Sequence, residues 1–204
     1  MKFFITGIST EVGKTIASAI VTEALEADYW KPIQAGDLDN SDTHKVKALI
    51  SNKKSVFHQN SYALKTPMSP HAAAEIDGVQ IYLKQIVEPE TDNHLVIEGA
   101  GGLLVPINDD DTILDLIKPD YKVIVVSRHY LGSINHSLLT INALQNKGYQ
   151  PGIIFSGDEH TTTENIILKK TQATFLGRIN EEKNINQAVI EKHSALLRPS
   201  LLKF

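Results

Sequence analysis

The amino-acid sequence predicts an α/β fold in which helices cover both faces of a mostly parallel sheet. Short apolar runs alternate along the 204 residues with longer segments of helical pattern, and this alternation is typical of parallel sheets. Most of the short runs are continuously apolar, as strands buried on both faces are. No repeat, low-complexity segment or linker interrupts the pattern, and the length suits one domain with a sizeable core. We therefore expect residues 1–204 to form a single domain.

The elements follow from these patterns in chain order. The predicted strands are short and apolar, and they are Lys2–Thr6, Tyr29–Ile33, His94–Glu98, Lys122–Ser127, Gly152–Ser156 and Ala173–Ile179. The predicted helices show apolar residues at helical spacing, and they are Lys14–Ala27, Ser41–Ser51, Val79–Glu88, Ser133–Lys147 and Thr163–Thr171. The fourth helix ends at Gly148, as helices commonly end at glycine. The last stretch, HSALLRPSLLKF, predicts a short amphipathic tail that packs on its own domain or on a second subunit.

Composition excludes several classes of partner and chemistry. The net charge is −4, and this acidic balance does not favour binding to nucleic acid. The chain has no cysteine, which excludes disulfides, thiolate nucleophiles and metal sites built on cysteine. No apolar stretch approaches the roughly 20 residues that cross a membrane, and no signal-peptide pattern precedes the first predicted strand. We therefore expect a cytoplasmic protein without membrane contact.

The stretch FFITGISTEVGKTIAS, residues 3 to 18, has the context of a phosphate-binding loop. A predicted strand leads into Gly7, and a predicted helix begins at Lys14. Backbone N–H groups of such a loop and the helix N-terminus bind phosphate oxygens, while the lysine reaches the β- and γ-phosphates and the Thr15 hydroxyl holds Mg²⁺. The glycine stands one place before the usual G-x-x-x-x-G-K-[ST] position, which lengthens the loop without removing a donor. The alternative is a Gly-Lys-Thr that merely opens a helix, and the strand before it favours the phosphate site.

The stretch HLVIEGAGG, residues 94 to 102, places an acid and a glycine-rich turn at the end of an apolar strand. Ligands collect at the carboxyl ends of parallel strands, so Glu98 is expected beside the phosphate loop, where it can bind Mg²⁺ or its waters. The turn Gly99–Gly102 allows the backbone to approach a ligand closely. The alternative is a solvated glutamate at a strand end.

Four further positions could contact a ligand. In YWKPIQAG, Lys31 could neutralise an anionic nucleophile near the γ-phosphate, or it could be a surface lysine at a strand end. In NSDTHKV, Asp42 could be a second Mg²⁺ ligand, although its position near a helix start favours a cap-region acid. In TPMSPHAAA, Ser69 could be a ligand donor or a helix cap. In YLGSINHSLLT, the backbone N–H groups of Gly132–Asn135 could bind a carboxylate or phosphate.

Together, six blocks in order and at similar spacing resemble the dethiobiotin synthetase family. They are GISTEVGKT, KPIQAG, NSD, MSPHAAA, VIEGAGG and LGSINHSLLT. The match runs from Phe3 to about Leu139 and continues weakly through PGIIFSG and LGRI. The family's own loop reads G-T-x-T-E-V-G-K-T, so the early glycine is the family form. The resemblance implies a P-loop NTPase-like three-layer sandwich.

The resemblance also implies a reaction and its participants. Dethiobiotin synthetases carboxylate 7,8-diaminononanoate with CO₂ to a carbamate, phosphorylate the carbamate with Mg²⁺ and ATP, and close the ureido ring as phosphate leaves. The enzyme is expected to be a homodimer. This chemistry requires neither a Ser/His nucleophile nor cysteine, in agreement with the composition.

Carried over position by position, the resemblance implies roles for named residues. Lys14 and Lys31 would be the catalytic residues at the reacting carbamate and phosphate. The metal ligands would be Thr15, Asp42 and Glu98. The substrate-binding residues would be Thr10, Lys31 and Ser69, with Gly132, Ser133, Ile134 and Asn135 binding the substrate carboxylate across the dimer interface. The nucleotide-binding residues would be Glu11, Val12, Gly13, Lys14, Thr15, Ile16, Asp42, Glu98, Gly99, Ala100, Gly101, Ser156, Gly157 and Asn180.

Three departures from the family pattern bear on specificity. Ala35 stands where the family often has a hydroxyl that contacts substrate. Ser156–Gly157 stands where a pair containing asparagine is common, and Asn180 stands where proline is frequent. The last two departures bear on nucleotide preference, and beyond Arg178 only Asn180 is assigned a role.

Two other classes of protein share the loop and the sheet. A related ATP-dependent amide ligase would usually carry an additional glutamine-amidotransferase domain, for which 204 residues leave no room. A partition- or division-type ATPase switch would carry an additional lysine early in the loop, and residues 7 to 12 contain none. The sequence therefore favours the synthetase.

Overall fold

The computed structural model describes residues 1–204 and is built around a seven-stranded sheet. The strands are β1 (Lys2–Gly7), β2 (Asp28–Trp30), β3 (Ile33–Ala35), β4 (Phe57–His58), β5 (Tyr62–Leu64), β6 (Leu95–Gly102), β7 (Lys122–Arg128), β8 (Gly152–Ser156) and β9 (Thr174–Ile179). The α-helices are α1 (Lys14–Leu25), α2 (Asp42–Leu49), α3 (Pro70–Asp77), α4 (Ser133–Asn146), α5 (Thr161–Thr171) and α6 (Gln187–Lys203). Short 3₁₀ turns occupy Leu38–Asn40, Leu83–Gln85 and Ile113–Leu116.

The sheet has the strand order β4-β2-β6-β1-β7-β8-β9, and every neighbouring pair is parallel. The chain moves from β1 towards β2 in one direction and from β7 to β9 in the other. Because crossovers between parallel strands are right-handed, the two groups of helices lie on opposite faces. One group is α1, α2 and α6, and the other is α4 and α5. The predicted parallel sheet with helices on both faces is therefore confirmed.

The central strands are buried on both faces, as their continuous apolar runs predicted. In β1, the consecutive residues Phe3, Phe4 and Ile5 are all fully buried. Since successive side chains of a strand point to opposite faces, burial of all three requires a helix or loop layer on each side. The carboxyl ends of β1 and β6 thus stand at a fixed place in the middle of the sheet, where the loops that follow them meet.

The predicted helix Val79–Glu88 is wrong. That segment contains only the 3₁₀ turn Leu83–Gln85, and the helix of this region is α3, Pro70–Asp77. Proline at the first helical position, an alanine run and a left-handed Gly78 at the C-terminus supply the helix signals there. Residues 79 to 88 lack such caps and are rich in β-branched and aromatic side chains, which lowers their helix propensity.

The predicted strand Tyr29–Ile33 is divided in the structure. Pro32 has no N–H to donate to a sheet ladder, and it separates β2 from β3. β3 leaves the large sheet and pairs with β5 in a two-stranded parallel sheet. The sequence did not predict β3, β4 or β5 as separate strands. Of these, β4 is the edge strand of the large sheet, beside β2.

The C-terminal segment is longer and more regular than the predicted tail. It forms α6, a helix of 17 residues that packs against α1. The Ser194 hydroxyl donates to the Ile20 carbonyl over 2.9 Å, and the Arg198 guanidinium donates to the Ala24 carbonyl. The expected packing on its own domain is confirmed. No helix, α6 included, combines the length and the apolar character that a membrane span needs.

Candidate active site

The loop between β1 and α1 has the shape of a phosphate cradle, and Gly7 and Gly13 determine that shape. A Cβ on Gly7 would lie 2.6 Å from Val12 Cγ2 and 2.9 Å from the Ser9 carbonyl oxygen, so no larger residue fits at position 7. Gly13 has a left-handed φ of 94°, and a Cβ there would lie 2.9 Å from Ser156 Oγ. The early glycine is thus required by the packing of this loop.

Lys14 is the first residue of α1, and its side chain is buried under the loop. Its Nζ donates to the Ser9 carbonyl over 3.0 Å. Burial lowers the pKa of Lys14 to about 8, and the nearby Glu98 carboxylate opposes that effect. An ammonium held in this way lies at the centre of the loop and is available to an anion bound there.

Three oxygen-bearing side chains converge beside the loop. Thr15 Oγ1 lies 3.0 Å from Asp42 Oδ1 and 3.0 Å from Glu98 Oε1. A hydroxyl and two carboxylates are the hard oxygen donors that Mg²⁺ prefers, so this donor set fits the ion. No group of three or more His, Cys, Asp or Glu side chains is arranged to hold a metal. An ion here would therefore complete its shell with phosphate oxygens and water.

Asp42 is an acid in the first turn of α2, as its sequence context favoured, but its side chain is not the helix cap. Ser41 is the N-cap of α2, and its hydroxyl accepts from the His44 N–H. The Asp42 carboxylate is turned towards Thr15 and Lys31 instead. Burial alone would raise the pKa of Asp42, but the positive charge and hydrogen bond of Lys31 outweigh it and lower that pKa.

Lys31 is not a surface lysine, since its side chain is only 5% exposed. Its Nζ lies 2.7 Å from Asp42 Oδ2 and 3.1 Å from Glu98 Oε1. Burial acts to lower the pKa of Lys31, but attraction by the two carboxylates outweighs burial and raises it. The ammonium therefore stays charged and bridges two of the three oxygen-bearing residues.

Tyr29 completes this network, and the sequence analysis missed it. Its ring is fully buried, and its hydroxyl donates to Glu98 Oε2 over 2.9 Å. Burial and the negative charge of Glu98 raise the pKa of Tyr29 well above its usual range, so the hydroxyl keeps its proton. The available signal was the strand period of two, which points Tyr29 and Lys31 to the same side.

A cleft of about 680 Å³ lies at the carboxyl ends of the strands, and its lining includes Lys14, Thr15, Lys31, Asp42 and Glu98. The predicted site residues in its lining are Thr10, Glu11, Gly13, Lys14, Thr15, Ile16, Lys31, Asp42, Ser69, Glu98, Ala100 and Gly101. The lining residues that the sequence did not assign to the site are Gln34, Pro67, Met68, Pro70, Val105 and Arg128, and Ala35 lines it as well. A separate cleft of about 720 Å³, beside Phe4 and Trp30, contains none of the predicted site residues. We place the active site in the cleft of about 680 Å³, because ligands of parallel sheets bind at the carboxyl ends of the strands.

The remaining predicted residues lie outside this lining. Val12 and Gly99 are turned inwards, Val12 against Gly7 and Gly99 against Phe4 and Ile113. Ser156 is the last residue of β8 and Gly157 follows it, and both adjoin the loop, because Ser156 Oγ approaches Gly13. Asn180 follows β9 and is exposed.

Two predicted substrate contacts have distinct surroundings. Ser69 lines the cleft, and its hydroxyl lies 3.2 Å from His71 Nδ1 without capping α3. Gly132–Asn135 begin α4 outside the cleft. Ser133 N–H donates to the Tyr130 carbonyl over 2.9 Å, whereas the N–H groups of Ile134 and Asn135 have no partner within the chain. That helix start therefore has two free donors.

Solved structures share this fold at low sequence identity. The MinC:MinD cell division protein complex of Aquifex aeolicus matches with a TM-score of 0.59 and 15% identity, covering 99% of this chain and 94% of that one. A plasmid partition protein from Borrelia burgdorferi matches with a TM-score of 0.57 and 17% identity, covering 100% and 98%. The predicted P-loop NTPase-like architecture is confirmed, and identities this low show the fold alone.

Sequence relatives are far closer. The family model described as AAA domain matches residues 1–189. The ATP-dependent dethiobiotin synthetase BioD of Christiangramia forsetii is 61% identical over 200 residues, covering 98% of this chain and 97% of that relative. The corresponding synthetase of Cytophaga hutchinsonii is 48% identical over 199 residues, covering 96% of each. The chain therefore belongs to the family of ATP-dependent dethiobiotin synthetases, as its six sequence blocks predicted, and is an ATP-dependent ligase.

Proposed function

We propose that the cleft carries out the complete carboxylation and ring closure of 7,8-diaminononanoate. One amine of the substrate attacks CO₂ and loses a proton to give a carbamate. A carbamate oxygen attacks the γ-phosphorus of ATP, and ADP leaves. The second amine attacks the carbon of the resulting carbamic-phosphoric anhydride, phosphate leaves, and the ureido ring closes. The convergence of Lys14, Thr15, Lys31, Asp42 and Glu98 in one cleft supports this proposal most directly.

The phosphate loop would hold the triphosphate of ATP. Its backbone N–H groups and the N-terminus of α1 would contact the phosphate oxygens. Lys14 would exchange the Ser9 carbonyl for a phosphate oxygen. That exchange would favour the charged form of Lys14, because a phosphate oxygen attracts an ammonium more strongly than a neutral carbonyl does.

Thr15, Asp42 and Glu98 would hold the magnesium ion, which would neutralise charge on the β- and γ-phosphates when bound. Lys31, already between Asp42 and Glu98, would stabilise the anionic carbamate as it approaches the γ-phosphate. Two negatively charged reactants repel each other, so a fixed ammonium between them lowers the cost of bringing them together.

The diamine would bind between the loop and the start of α3, with Thr10 and Ser69 on its amine side. The distant carboxylate would bind the free N–H groups of Ile134 and Asn135 in a second subunit. Exposed apolar side chains surround that helix start, and they are Tyr130, Leu131 and Ile134. Because such side chains are commonly covered in an interface, they support a homodimer. The cytoplasmic location and the single-domain organisation stay predictions.

The reaction is tested directly by product analysis. The protein is incubated with diaminononanoate, ¹³C-labelled bicarbonate as the source of CO₂, Mg²⁺ and ATP. We expect a cyclic urea that carries one labelled carbon, formed together with ADP and phosphate. ATP hydrolysis without the labelled product would contradict the proposal. Nucleotide-dependent dimerisation without product would point to an ATPase switch instead.

Replacing Tyr29 by phenylalanine is expected to weaken magnesium binding about tenfold. The change removes the hydrogen bond that orients Glu98, and a hydrogen bond to a charged group contributes about 1.5–3 kcal/mol. The measurement is the binding of Mn²⁺, as a paramagnetic substitute, in the presence of a non-hydrolysable ATP analogue. Tyr149→Phe is the matched control, because its hydroxyl donates to the Ile117 carbonyl away from the cleft. Equal metal affinity in Tyr29→Phe and the control would show that Tyr29 only packs in the core.

Nucleotide choice is expected to be relaxed. Neither Ser156 nor Gly157 has a side-chain amide that could pair with a base edge, and Asn180 is exposed. A site with a buried pairing group can reject the wrong partner by about 10⁴–10⁵, whereas a site without one discriminates by about 10² or less. Turnover with ATP, GTP and CTP is compared at equal concentrations. A preference for ATP of more than about a hundredfold would mean that another residue reads the base.

A further inference from the structure

Arg128 is a cation of the cleft to which the proposed reaction assigns no role. It is the last residue of β7, and it pairs in register with Ser156 of β8. Ser156 in turn touches the phosphate loop at Gly13. Arg128 lines the same cleft as Lys14 and Thr15, in which the nucleotide is proposed to bind.

Arg128 forms an ion pair with Glu181. Arg128 Nη2 lies 2.8 Å from Glu181 Oε1, and the two side chains are 46% and 56% exposed. Glu181 Oε1 lies 3.7 Å from the position of a Cβ on Gly157, so the ion pair lies beside the carboxyl end of β8. Exposed ion pairs contribute only about 0–1 kcal/mol, and a stronger anion can therefore displace Glu181.

The charge balance of the cleft favours such an exchange. Lys14, Lys31 and Arg128 face Glu11, Asp42 and Glu98 in its lining, so the fixed charges cancel. Lys31 is held by Asp42 and Glu98, which belong to the same lining. Arg128 alone is paired with a carboxylate outside the lining. A change in the side-chain conformation of Arg128 can therefore direct its charge towards a ligand without breaking an ion pair within the lining.

We propose that Arg128 leaves Glu181 when the nucleotide binds and donates to the phosphates, while Glu181 competes for Arg128 in the empty enzyme. The guanidinium suits this role, since it binds phosphate oxygens with two parallel N–H donors. Glu181 then acts as a substitute anion that holds Arg128 at the edge of the cleft until phosphate arrives. The inference rests on the proposed placement of the nucleotide in this cleft.

Because Glu181 and the nucleotide would compete for Arg128, substitutions of Arg128 and Glu181 are expected to change nucleotide affinity in opposite directions. Affinity for a fluorescent ATP analogue is measured by equilibrium titration in the wild type, Arg128→Gln and Glu181→Gln. Arg128→Gln is expected to weaken binding about tenfold or more, because a charge-assisted contact is lost. Glu181→Gln is expected to tighten binding a few-fold, because the competing anion is gone. If the ion pair is only a fixed link between the ends of β7 and β9, Glu181→Gln will not tighten binding, and the inference is overturned.

Controls separate this effect from net charge and from loss of the nucleotide site. Lys54→Gln and Glu26→Gln make the same changes of charge in one exposed ion pair away from the cleft, and their affinities should equal that of the wild type. Lys14→Ala is titrated in parallel. Weak binding by Lys14→Ala together with wild-type affinity in Arg128→Gln overturns the role of Arg128 alone. Wild-type affinity in Lys14→Ala overturns the nucleotide placement, and the proposed reaction with it.

Discussion

Turnover is expected to fall by about 10²–10³-fold, or to undetectable levels, when Lys14 is replaced by alanine, while the protein stays folded. The Lys14 ammonium makes one hydrogen bond in the structure, to the Ser9 carbonyl. Its removal therefore breaks no ion pair and leaves space that opens into the cleft. The loss falls on the transition state, where the charge of the transferred phosphoryl group must be stabilised.

The measurement is the rate of cyclic urea formation, with thermal unfolding as the check on folding. Lys54→Ala is the matched control, since Lys54 is an exposed lysine that pairs with Glu26 over 2.5 Å. It should keep near-normal turnover. Near-normal product formation by folded Lys14→Ala would exclude the loop as the phosphate site.

Two variants that are each inactive on their own are expected to regain activity in a mixed dimer that contains one subunit of each. The first is Lys31→Ala, which removes the ammonium at the proposed position of the reacting carbamate. The second is Asn135→Asp, which places a negative charge where the substrate carboxylate is proposed to bind. Asn135 is exposed, and an acid in the first turn of a helix is favourable, so α4 should remain intact. If Lys31 of one subunit works with the helix start of the other, a mixed dimer has one fully intact site.

Mixed dimers are isolated with two different affinity tags after co-expression. Symmetry predicts about half of the wild-type activity per mixed dimer, against almost none for either parent variant. Asn135→Ala serves as the control for the introduced charge, because it leaves the backbone donors free. Purified mixed dimers without activity would place the carboxylate within a single chain. A monomeric wild type would exclude the shared site altogether.

Local rules were enough for the phosphate loop and for most of the sheet. Continuous apolar runs predicted the central strands, because a strand that is buried on both faces carries apolar side chains at successive positions. Only the structure explains why position 7 is glycine, because the close contacts of Gly7 with Val12 and Ser9 are made within the folded loop. The helix predicted at 79 to 88 was wrong because apolar spacing was considered without the signals of helix ends, whereas the neighbouring α3 has proline at its first position and glycine after its last.

Non-local contacts explain what the sequence missed in the site. Glu98 and Tyr29 are 69 positions apart, and only the pairing of β2 with β6 brings them together. Arg128 and Glu181 are similarly distant in the chain, and their neighbourhood depends on the order of β7, β8 and β9. The local sequence correctly predicted Asp42 as an acid at the start of α2, but it could not show that the Asp42 carboxylate reaches Thr15 and Lys31. A side chain that acts through another residue, as Tyr29 does through Glu98, has no recognisable motif around it in the sequence.

The position of Lys31 between Asp42 and Glu98 means that the site contains its own counter-ion. Two carboxylates drawn together in a buried place would otherwise repel each other and strain the fold whenever no cation was bound. With the ammonium in place, the empty protein keeps this repulsion neutralised. The conformational stability of the protein therefore does not depend on the concentration of free divalent cation. If the magnesium site is as proposed, a shortage of magnesium would stop catalysis before it unfolded the protein.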